Sequence, residues 1–199
     1  MSDIERPLLM CDDSEKDGKA EVVMQYVLSW CFRNAVKEPS NNKPNLFRKC
    51  KHMLCELLGF NENDIEFQDV KVWKEECRID LWVEVKLLNK GNPERHAILI
   101  ETKYYTGLHD AKDDDGEYRN QLLVYKKKFD KYYEQHLEFK KHYVLISCIY
   151  RTDEKFSMYE IAKDFGYRIF SRTDLLDKKD CAQETESDIF NEFWFRDWC

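Results

Sequence analysis

Two acidic residues and a lysine stand at the ends of two neighbouring strand-like segments. Asp80 lies in a segment, residues 78–86, whose alternating apolar residues are typical of a half-buried strand. Glu101 and Lys103 end a second segment, residues 97–103, which is apolar on both faces until Glu101, as in a strand covered on both sides. The Asn-Lys-Gly-Asn-Pro sequence between them is typical of a turn. The two segments are therefore predicted to pair as an antiparallel hairpin.

The centre of this turn determines which residues face each other. A hairpin that is symmetric about Lys90 and Gly91 places Asp80 opposite Glu101, whereas a slip of one residue puts them on opposite faces. Directly opposed Cβ atoms lie about 5 Å apart, and two like charges there are destabilising unless a cation such as Mg²⁺ or Mn²⁺ neutralises them. Lys103 projects from the same strand face as Glu101. These side chains predict a site for metal-assisted attack of water on a phosphodiester.

An acid-x-Lys triplet is weak evidence by itself, because 36% of the residues are charged and several other triplets fit. Glu101 differs from the other acids because it ends the most apolar segment and faces an aspartate across a predicted hairpin. The alternative interpretation is a solvated strand end that carries a surface ion pair.

The segment that follows, residues 118–135, has the pattern of an amphipathic helix. Gln121 and Tyr125 are four residues apart and therefore share a face of this helix. An amide and a phenol there could orient a nucleotide or a metal-bound water through hydrogen bonds, although a surface amide and a core tyrosine would produce the same pattern. The predicted apolar stripe comprises Leu122, Leu123, Tyr125, Phe129 and Tyr132.

Three short stretches together resemble the PD-(D/E)XK nuclease superfamily, in its branch with a glutamine-x-x-x-tyrosine helix. The resemblance extends from about Glu21 to the C-terminus. The chain departs from the usual pattern at Ile79, where a proline often precedes the aspartate, and at Cys77, where a small residue often precedes the arginine. The stretches that carry the resemblance are Cys77-Arg78-Ile79-Asp80, Ile98-Leu99-Ile100-Glu101-Thr102-Lys103 and Gln121-Leu122-Leu123-Val124-Tyr125.

The resemblance implies a role for each residue of the predicted site. It implies that Asp80 and Glu101 are metal ligands, and that the first helix supplies a further acidic ligand, for which Glu21 is the candidate. By the same resemblance Lys103 is the catalytic lysine, and the auxiliary motif is the pair Gln121 and Tyr125. The implied activity is hydrolysis of DNA by a metal-activated water, with Mg²⁺ as the cofactor and Mn²⁺ as its substitute.

The fold that the resemblance implies is restriction-endonuclease-like, an α/β fold whose central mixed β-sheet is flanked by helices on both sides. The chain's own pattern agrees, because helices are predicted before, between and after strands. Gly59 is predicted to end the second helix. The predicted helices span residues 21–35, 47–58, 118–135, 156–165 and 187–198, and the predicted strands span 65–74, 78–86, 97–103, 143–148 and 167–170.

Length and composition favour one domain, residues 19–199, preceded by a mobile polar arm, residues 1–18. The acidic segment 110–117 is predicted to be a mobile loop beside the site. Neither an apolar run long enough for a membrane span nor a secretory signal is evident, so we expect a cytoplasmic protein with no membrane partner.

Eight cysteines without a Cys-x-x-Cys pair favour reduced thiols over a disulfide framework. The nearest approach to a zinc motif is Cys50, His52 and Cys55. These three lie within one predicted helix and do not share a face, and no second half of the motif follows. The sequence therefore does not favour a zinc site.

A formal net charge of −7 gives no overall attraction for DNA. Local positive charge comes from a lysine cluster on and after the helix of Gln121, and Tyr104 and Tyr105 could stack on an unpaired base. The lysines are Lys126, Lys127, Lys128, Lys131, Lys140 and Lys141, for which a solvated helix face is the alternative interpretation. We therefore expect DNA binding that is weak or is assisted by a protein partner or by homo-oligomerisation.

Two other functions remain open at this stage. One is a non-catalytic DNA- or protein-binding module that retains the nuclease fold, and the other is an enzyme that uses the same metal site on a different phosphodiester or on a nucleotide.

Overall fold

The apolar runs form a mixed central sheet in the part of the chain that the structure describes. The computed structural model describes residues 20–36, 42–74, 76–103, 107–147, 156–176 and 183–197. The strands are β1 (Ile65–Lys74), β2 (Leu81–Asn89), β3 (Asn92–Lys103), β4 (Asp110–Lys112), β5 (Tyr118–Asn120), β6 (Phe139–Ser147) and β7 (Arg168–Phe170). Five of them form one sheet in the order β1-β2-β3-β6-β7, and β4 pairs separately with β5. The pairs β1–β2 and β2–β3 are antiparallel, whereas β3–β6 and β6–β7 are parallel.

Helices precede and follow the strands. They are α1 (Ala20–Arg33), α2 (Pro44–Leu58), α3 (Gln121–Tyr133), α4 (Phe156–Asp164), α5 (Arg172–Leu175) and α6 (Asp188–Glu192), which continues as a π-helical turn over Phe193–Asp197. Two 3₁₀ turns span Glu62–Asp64 and Glu76–Arg78. None of the helices within the described ranges has the length and apolar character needed to cross a membrane.

Helices cover the sheet on both faces, as predicted. One apolar cluster joins residues of α1, α2, α5 and α6 to β-strand side chains such as Leu81, Val83 and Ile100. A second cluster joins α3 and α4 to the other side of the sheet, where Trp82 and Leu99 point. The alternation along β2 decides which cluster each residue enters, because successive side chains project to opposite faces. The α/β class and the mixed central sheet are therefore confirmed.

Several predicted boundaries also agree with the structure. β1 spans the predicted residues 65–74. α2 ends where predicted, because Gly59 adopts a left-handed conformation with φ of 77° and its amide donates to Cys55 O at 2.8 Å. A left-handed residue breaks the helical repeat, and glycine adopts it without a steric penalty from Cβ.

The prediction for residues 110–135 was partly wrong. Residues 118–120 form β5 rather than the start of a helix, because they pair with β4, and the Asn120 side chain caps α3 by accepting from the Leu122 amide at 3.0 Å. The predicted mobile loop is therefore part of a hairpin, whose turn is organised by Asp113 Oδ1 accepting from the amides of Asp115 and Glu117.

Two smaller corrections concern helix faces and ends. Tyr132 does not belong to the apolar stripe of α3, since its side chain is 50% exposed, and Tyr133 is buried in its place. The predicted last helix is α-helical over five residues and then π-helical. The predicted arm, residues 1–18, lies outside the described residues, as do Tyr104 and Tyr105.

Candidate active site

The β2–β3 hairpin has the predicted symmetric register. Asn89 pairs with Asn92 and Leu81 pairs with Ile100, so the residue numbers of facing partners have a constant sum. The turn between them uses Lys90 and Gly91, both with positive φ, as a tight two-residue hairpin turn requires. Asp80 immediately precedes β2, and Glu101 immediately follows Ile100 in β3. Continuing the register by one residue therefore places Asp80 opposite Glu101.

Asp80 enters the hairpin from a backbone in an unusual conformation. Cys77 and Arg78 have φ of 55° and 68°, in the left-handed region that residues with a Cβ rarely adopt. The Ile79 amide donates to Glu76 O at 2.9 Å and closes this turn. The turn explains why β2 begins at Leu81 rather than at the predicted residue 78, and it delivers Asp80 to the end of the strand.

Glu101 is almost completely buried, with 2% of its surface exposed. Its Oε1 atom accepts a hydrogen bond from Lys103 Nζ at 2.7 Å and another, short one from Gln121 Nε2. Its Oε2 atom is buried and has no hydrogen-bond partner among the described residues. A buried carboxylate oxygen without a partner is costly, so an external ligand at this atom would be favoured.

Asp80 is held by a residue that the sequence did not single out for this role. Asp80 Oδ2 accepts from the Thr102 amide at 2.8 Å and from the Thr102 hydroxyl at 2.7 Å. Thr102 Oγ1 in turn accepts from Gln25 Nε2 at 3.2 Å, which links the carboxylate to α1. One signal could have pointed to Gln25, because it lies four residues after Glu21 and so shares a face of α1 with it.

The two carboxyl groups and the lysine perturb one another's ionisation. Burial raises the pKa of Glu101 to about 8, and the negative charge of Asp80 adds to that shift while Lys103 opposes it. Burial also raises the pKa of Asp80, although the hydrogen bonds from Thr102 oppose the change. Burial alone would lower the pKa of Lys103, but the attraction of Glu101 and its hydrogen bond raise it. The site therefore disfavours a second uncompensated negative charge, and an added cation would favour ionisation of both carboxyls.

Glu21 belongs to the same electrostatic environment. It lies in the first turn of α1, and its negative charge contributes to the raised pKa values of Asp80, Glu101 and Lys103. Charge effects of this kind fall with distance, so Glu21 lies within electrostatic reach of the predicted site. Glu21 nevertheless does not form a three-acid metal group with Asp80 and Glu101, all of which lie in the described ranges.

Gln121 and Tyr125 approach the site from α3. Gln121 is fully buried, and besides its contact with Glu101 its backbone amide donates to His109 O at 3.0 Å. Tyr125 is also buried, and burial raises the pKa of its phenol, followed by the negative charges of Glu101 and Asp80. The surface-amide alternative for Gln121 is therefore wrong.

The donor set suits a hard divalent cation. Carboxylate oxygens of Asp80 and Glu101, with Glu21 nearby, are the ligands that Mg²⁺ and Mn²⁺ prefer, and Glu101 Oε2 lacks any other partner among the described residues. Within the described ranges, no three histidine, cysteine, aspartate or glutamate side chains form a ready-made metal cluster. Cys31, Cys50 and Cys55 are buried free thiols and Cys77 is an exposed one, in agreement with the predicted reduced states, and the other four cysteines lie outside the described residues.

The predicted lysine cluster does not form one continuous positive surface. Lys126 Nζ donates to Phe165 O at 2.7 Å and lies over the Tyr143 ring, so it is part of the packing of α3. Three other lysines pair with acids: Lys131 with Asp114, Lys140 with Glu94 and Lys141 with Asp130. The solvated-face interpretation therefore fits Lys131, Lys140 and Lys141, whereas Lys126 is packed.

Comparisons with protein-family models, with curated proteins and with solved structures found no match to this chain. Its function must therefore be argued from the site.

Proposed function

We propose that this chain is a Mg²⁺-dependent nuclease with a restriction-endonuclease-like fold, which hydrolyses phosphodiester bonds in DNA. One observation carries the proposal: Glu101 has one oxygen held by Lys103 and Gln121, while its buried Oε2 has no partner among the described residues, and Asp80 is close enough to raise the pKa of Glu101. The Glu101 carboxylate can bind a cation through its unpartnered oxygen, and the ammonium group of Lys103 beside it can bind an anion.

Each residue of the site has a distinct role in this proposal. Asp80 and Glu101 would hold the cation, with Glu21 as an additional ligand. The bound cation would supply an activated water and neutralise part of the phosphate charge. Thr102 keeps the Asp80 carboxylate oriented through two hydrogen bonds. Lys103, anchored on Glu101, places a positive charge where negative charge develops on the phosphate during attack.

Gln121 and Tyr125 complete the site from the helix side. Gln121 fixes Glu101 Oε1, so that the carboxylate cannot rotate to exchange its two oxygens without losing that bond. Tyr125 places a phenol beside the two carboxyls, where its hydroxyl can donate to a phosphate oxygen or a water. Both residues therefore act by orientation rather than as nucleophiles.

The overall negative charge predicts weak DNA binding by the isolated chain. The formal net charge is −7, and most of the lysines of the predicted cluster are paired or packed. Arg78 is exposed two residues before Asp80 and is a candidate for a phosphate contact outside the site. Binding assisted by a protein partner or a second copy of the chain remains part of the proposal.

A cleavage assay tests the proposal directly. Purified chain is incubated with fluorescent single- and double-stranded DNA in Mg²⁺ or Mn²⁺, alongside Lys103→Ala and Asp80→Asn. Lys86→Ala is the matched control, because Lys86 also ends an acid-x-Lys triplet but makes only a 3.6 Å surface pair with Asp69. We expect the wild type and the control to cleave, and the two site variants to lose about two to three orders of magnitude in rate.

Three outcomes would contradict the proposal in different ways. Equal cleavage by the wild type and Lys103→Ala would mean a contaminating nuclease. DNA binding without cleavage in either metal would favour the non-catalytic module. Hydrolysis of a nucleotide or of another phosphodiester, with no action on DNA, would favour the third function.

A further inference from the structure

An aromatic cavity lies beside the proposed site and has no part in the roles assigned above. Its volume is about 290 Å³. Trp73 and Trp82 are facing partners on β1 and β2, and the Tyr132 ring meets the Trp82 ring edge-on with centroids 5.1 Å apart. Trp82 is only 4% exposed, whereas Trp73 and Tyr132 are 39% and 50% exposed. The cavity therefore has a buried aromatic floor and two exposed aromatic walls.

Polar groups at the rim complete the cavity. Glu76, Glu84 and Lys128 line it together with the Cys77 thiol. Glu84 is fixed in place, since its Oε1 atom accepts from Tyr133 OH at 2.8 Å, and the same hydroxyl accepts from Trp82 Nε1 at 2.8 Å. The cavity thus presents two carboxylates as hydrogen-bond acceptors and one ammonium group as a donor.

Two independent lines of residues connect this cavity to the proposed site. On α3, Gln121, Tyr125, Lys128 and Tyr132 are spaced by four, three and four residues, so they form one stripe that runs from Glu101 to the cavity. Residue 80, just before β2, and residues 82 and 84 within it have the spacing of one strand face, with about 7 Å between successive members. Both the helix and the strand therefore lead from the carboxylates to the aromatic walls.

We propose that this cavity binds one unstacked, amino-bearing nucleobase of the DNA strand whose phosphate is cleaved. The inference rests on the nuclease function proposed above. A base is planar and stacks on exposed aromatic rings, which is how single-stranded nucleic acids are held with little sequence preference. The carboxylates of Glu76 and Glu84 are suited to accept from an exocyclic amino group, as acidic side chains do from cytosine. Lys128 is suited to donate to a ring nitrogen or carbonyl acceptor of the same base.

The proposal names the substrate class. A base inside a duplex is stacked on both faces and cannot enter a cavity between Trp73 and Tyr132 unless it is extruded. The preferred substrate is therefore single-stranded DNA or a frayed or mismatched end, with cytosine or adenine favoured over thymine at the position beside the cleaved phosphate.

The first test measures base binding without any cleavage. Cys77 lines the cavity and is exposed, so its alkylation by iodoacetamide can be followed by mass spectrometry of the peptide that contains it. We expect millimolar deoxycytidine to slow this alkylation at least twofold in the wild type, and thymidine to slow it less. Protection should be lost in Trp73→Ala and in Tyr132→Ala, and kept in Tyr118→Ala, a tyrosine that is 72% exposed and does not line the cavity.

The second test measures the substrate preference of the full chain. Trp73→Ala and Tyr132→Ala should raise the KM for a single-stranded oligonucleotide about tenfold with little change in kcat, because the stacking contact orients the strand but is remote from the reacting phosphate. Trp73→Phe, which retains an aromatic wall, should restore most of the affinity. Circular dichroism of each variant separates this effect from loss of folding.

The two proposals fail in distinguishable ways. Protection of Cys77 by deoxycytidine in a wild type that does not cleave DNA would refute the nuclease function and keep the base site. Cleavage with no protection, and with unchanged KM in both variants, would overturn the base site alone. Protection by tetramethylammonium but not by deoxycytidine would also overturn it, since it would assign the aromatic cavity to a cationic ligand.

Discussion

Lys103 Nζ lies 2.7 Å from Glu101 Oε1, and both side chains are at least 96% buried, with exposed fractions of 4% and 2%. Two residues apart on one strand, they project from the same face, so the pair is a direct consequence of strand geometry. Removing one partner of a buried ion pair is more damaging than replacing both, because the remaining charge is left in an apolar environment.

Replacing Lys103 alone, or Glu101 and Lys103 together, should therefore change the free energy of unfolding by different amounts. In EDTA at pH 9, above the pKa of about 8 that Glu101 has in the folded chain, Lys103→Met should lower the free energy of unfolding by about 3–5 kcal/mol. The double variant Glu101→Gln/Lys103→Met should lie within about 1 kcal/mol of the wild type, since the glutamine can still accept from Gln121. Urea denaturation of the wild type, Glu101→Gln, Lys103→Met and the double variant measures the coupling. Additive losses would show that the two side chains do not interact.

Binding of Mn²⁺ should stabilise the folded chain. A ligand at about 100 times its Kd adds about 2.7 kcal/mol to the free energy of unfolding, which for a domain of this size raises Tm by roughly 5–10 °C. Calorimetry with and without Mn²⁺ measures the shift. Asp80→Asn should lose most of it, whereas Asp69→Asn, a surface acid on β1, should retain it. An equal shift in both variants would place the metal elsewhere.

Thr102 should control how tightly the metal is held. Its hydroxyl donates to Asp80 Oδ2 at 2.7 Å, and groups that orient a metal ligand typically change metal affinity 10- to 100-fold when removed. Thr102→Val keeps the shape but removes the hydroxyl, so we expect Mn²⁺ to bind about tenfold more weakly by calorimetric titration. Thr102→Ser keeps the hydroxyl and is the control. If the serine variant binds as weakly as the valine variant, packing rather than the hydrogen bond is responsible.

Away from the proposed site, a pair formed by the buried His96 and the partly exposed His142 should make the stability of the fold depend on pH. His96 Nδ1 lies 2.9 Å from His142 Nε2, and Glu94 and Lys140 flank the pair. Burial lowers the pKa of His142 to about 4, followed by the positive charges of His96, Arg168 and Lys140, and burial also lowers the pKa of His96.

The histidine pair should make the folded chain less stable at low pH, because the pKa of each histidine is lower in the folded chain than in the unfolded one. Between about pH 6.5 and pH 4 the unfolded chain binds protons that the folded chain does not, so stability is complete above pH 6.5 and falls as the pH is lowered through that range. After allowance for partial solvent exposure, the loss assigned to His142 is on the order of 2 kcal/mol. Urea denaturation at pH 7.5 and pH 4.5 should show a smaller loss for His142→Gln than for the wild type. An equal loss in both would assign the acid sensitivity to other groups.

Local pattern was sufficient for the hairpin that carries the site. Asp80 was predicted opposite Glu101 because a two-residue turn at Lys90 and Gly91 fixes the pairing of every residue that follows. The bounds of β1 and the end of α2 at Gly59 were also predicted correctly. The residues that determine them are adjacent in the chain. Alternation and turn chemistry are properties of neighbouring residues, so they can be read without knowing the rest of the fold.

Other features depended on contacts between distant segments. Residues 110–120 were expected to contain a mobile loop and the start of a helix, yet they form the β4–β5 hairpin, because the three-residue strands are too short to show a period. The positive φ values at Cys77 and Arg78 gave no sequence signal, since neither residue is one that favours that conformation. The cavity between Trp73 and Tyr132 likewise joins segments that the sequence separates widely.

The sequence by itself determined the α/β class, the hairpin register and the placement of Glu101 and Lys103 on one face, because each follows from the period of a strand and the chemistry of one turn. Only the tertiary structure decided that Gln25, 77 residues from Thr102, supports the Asp80 contact, and that Gln121 takes one oxygen of Glu101 while the other is left without a partner among the described residues. These relationships depend on how α1 and α3 pack against the sheet, and such packing is set by the whole core rather than by any local stretch of sequence.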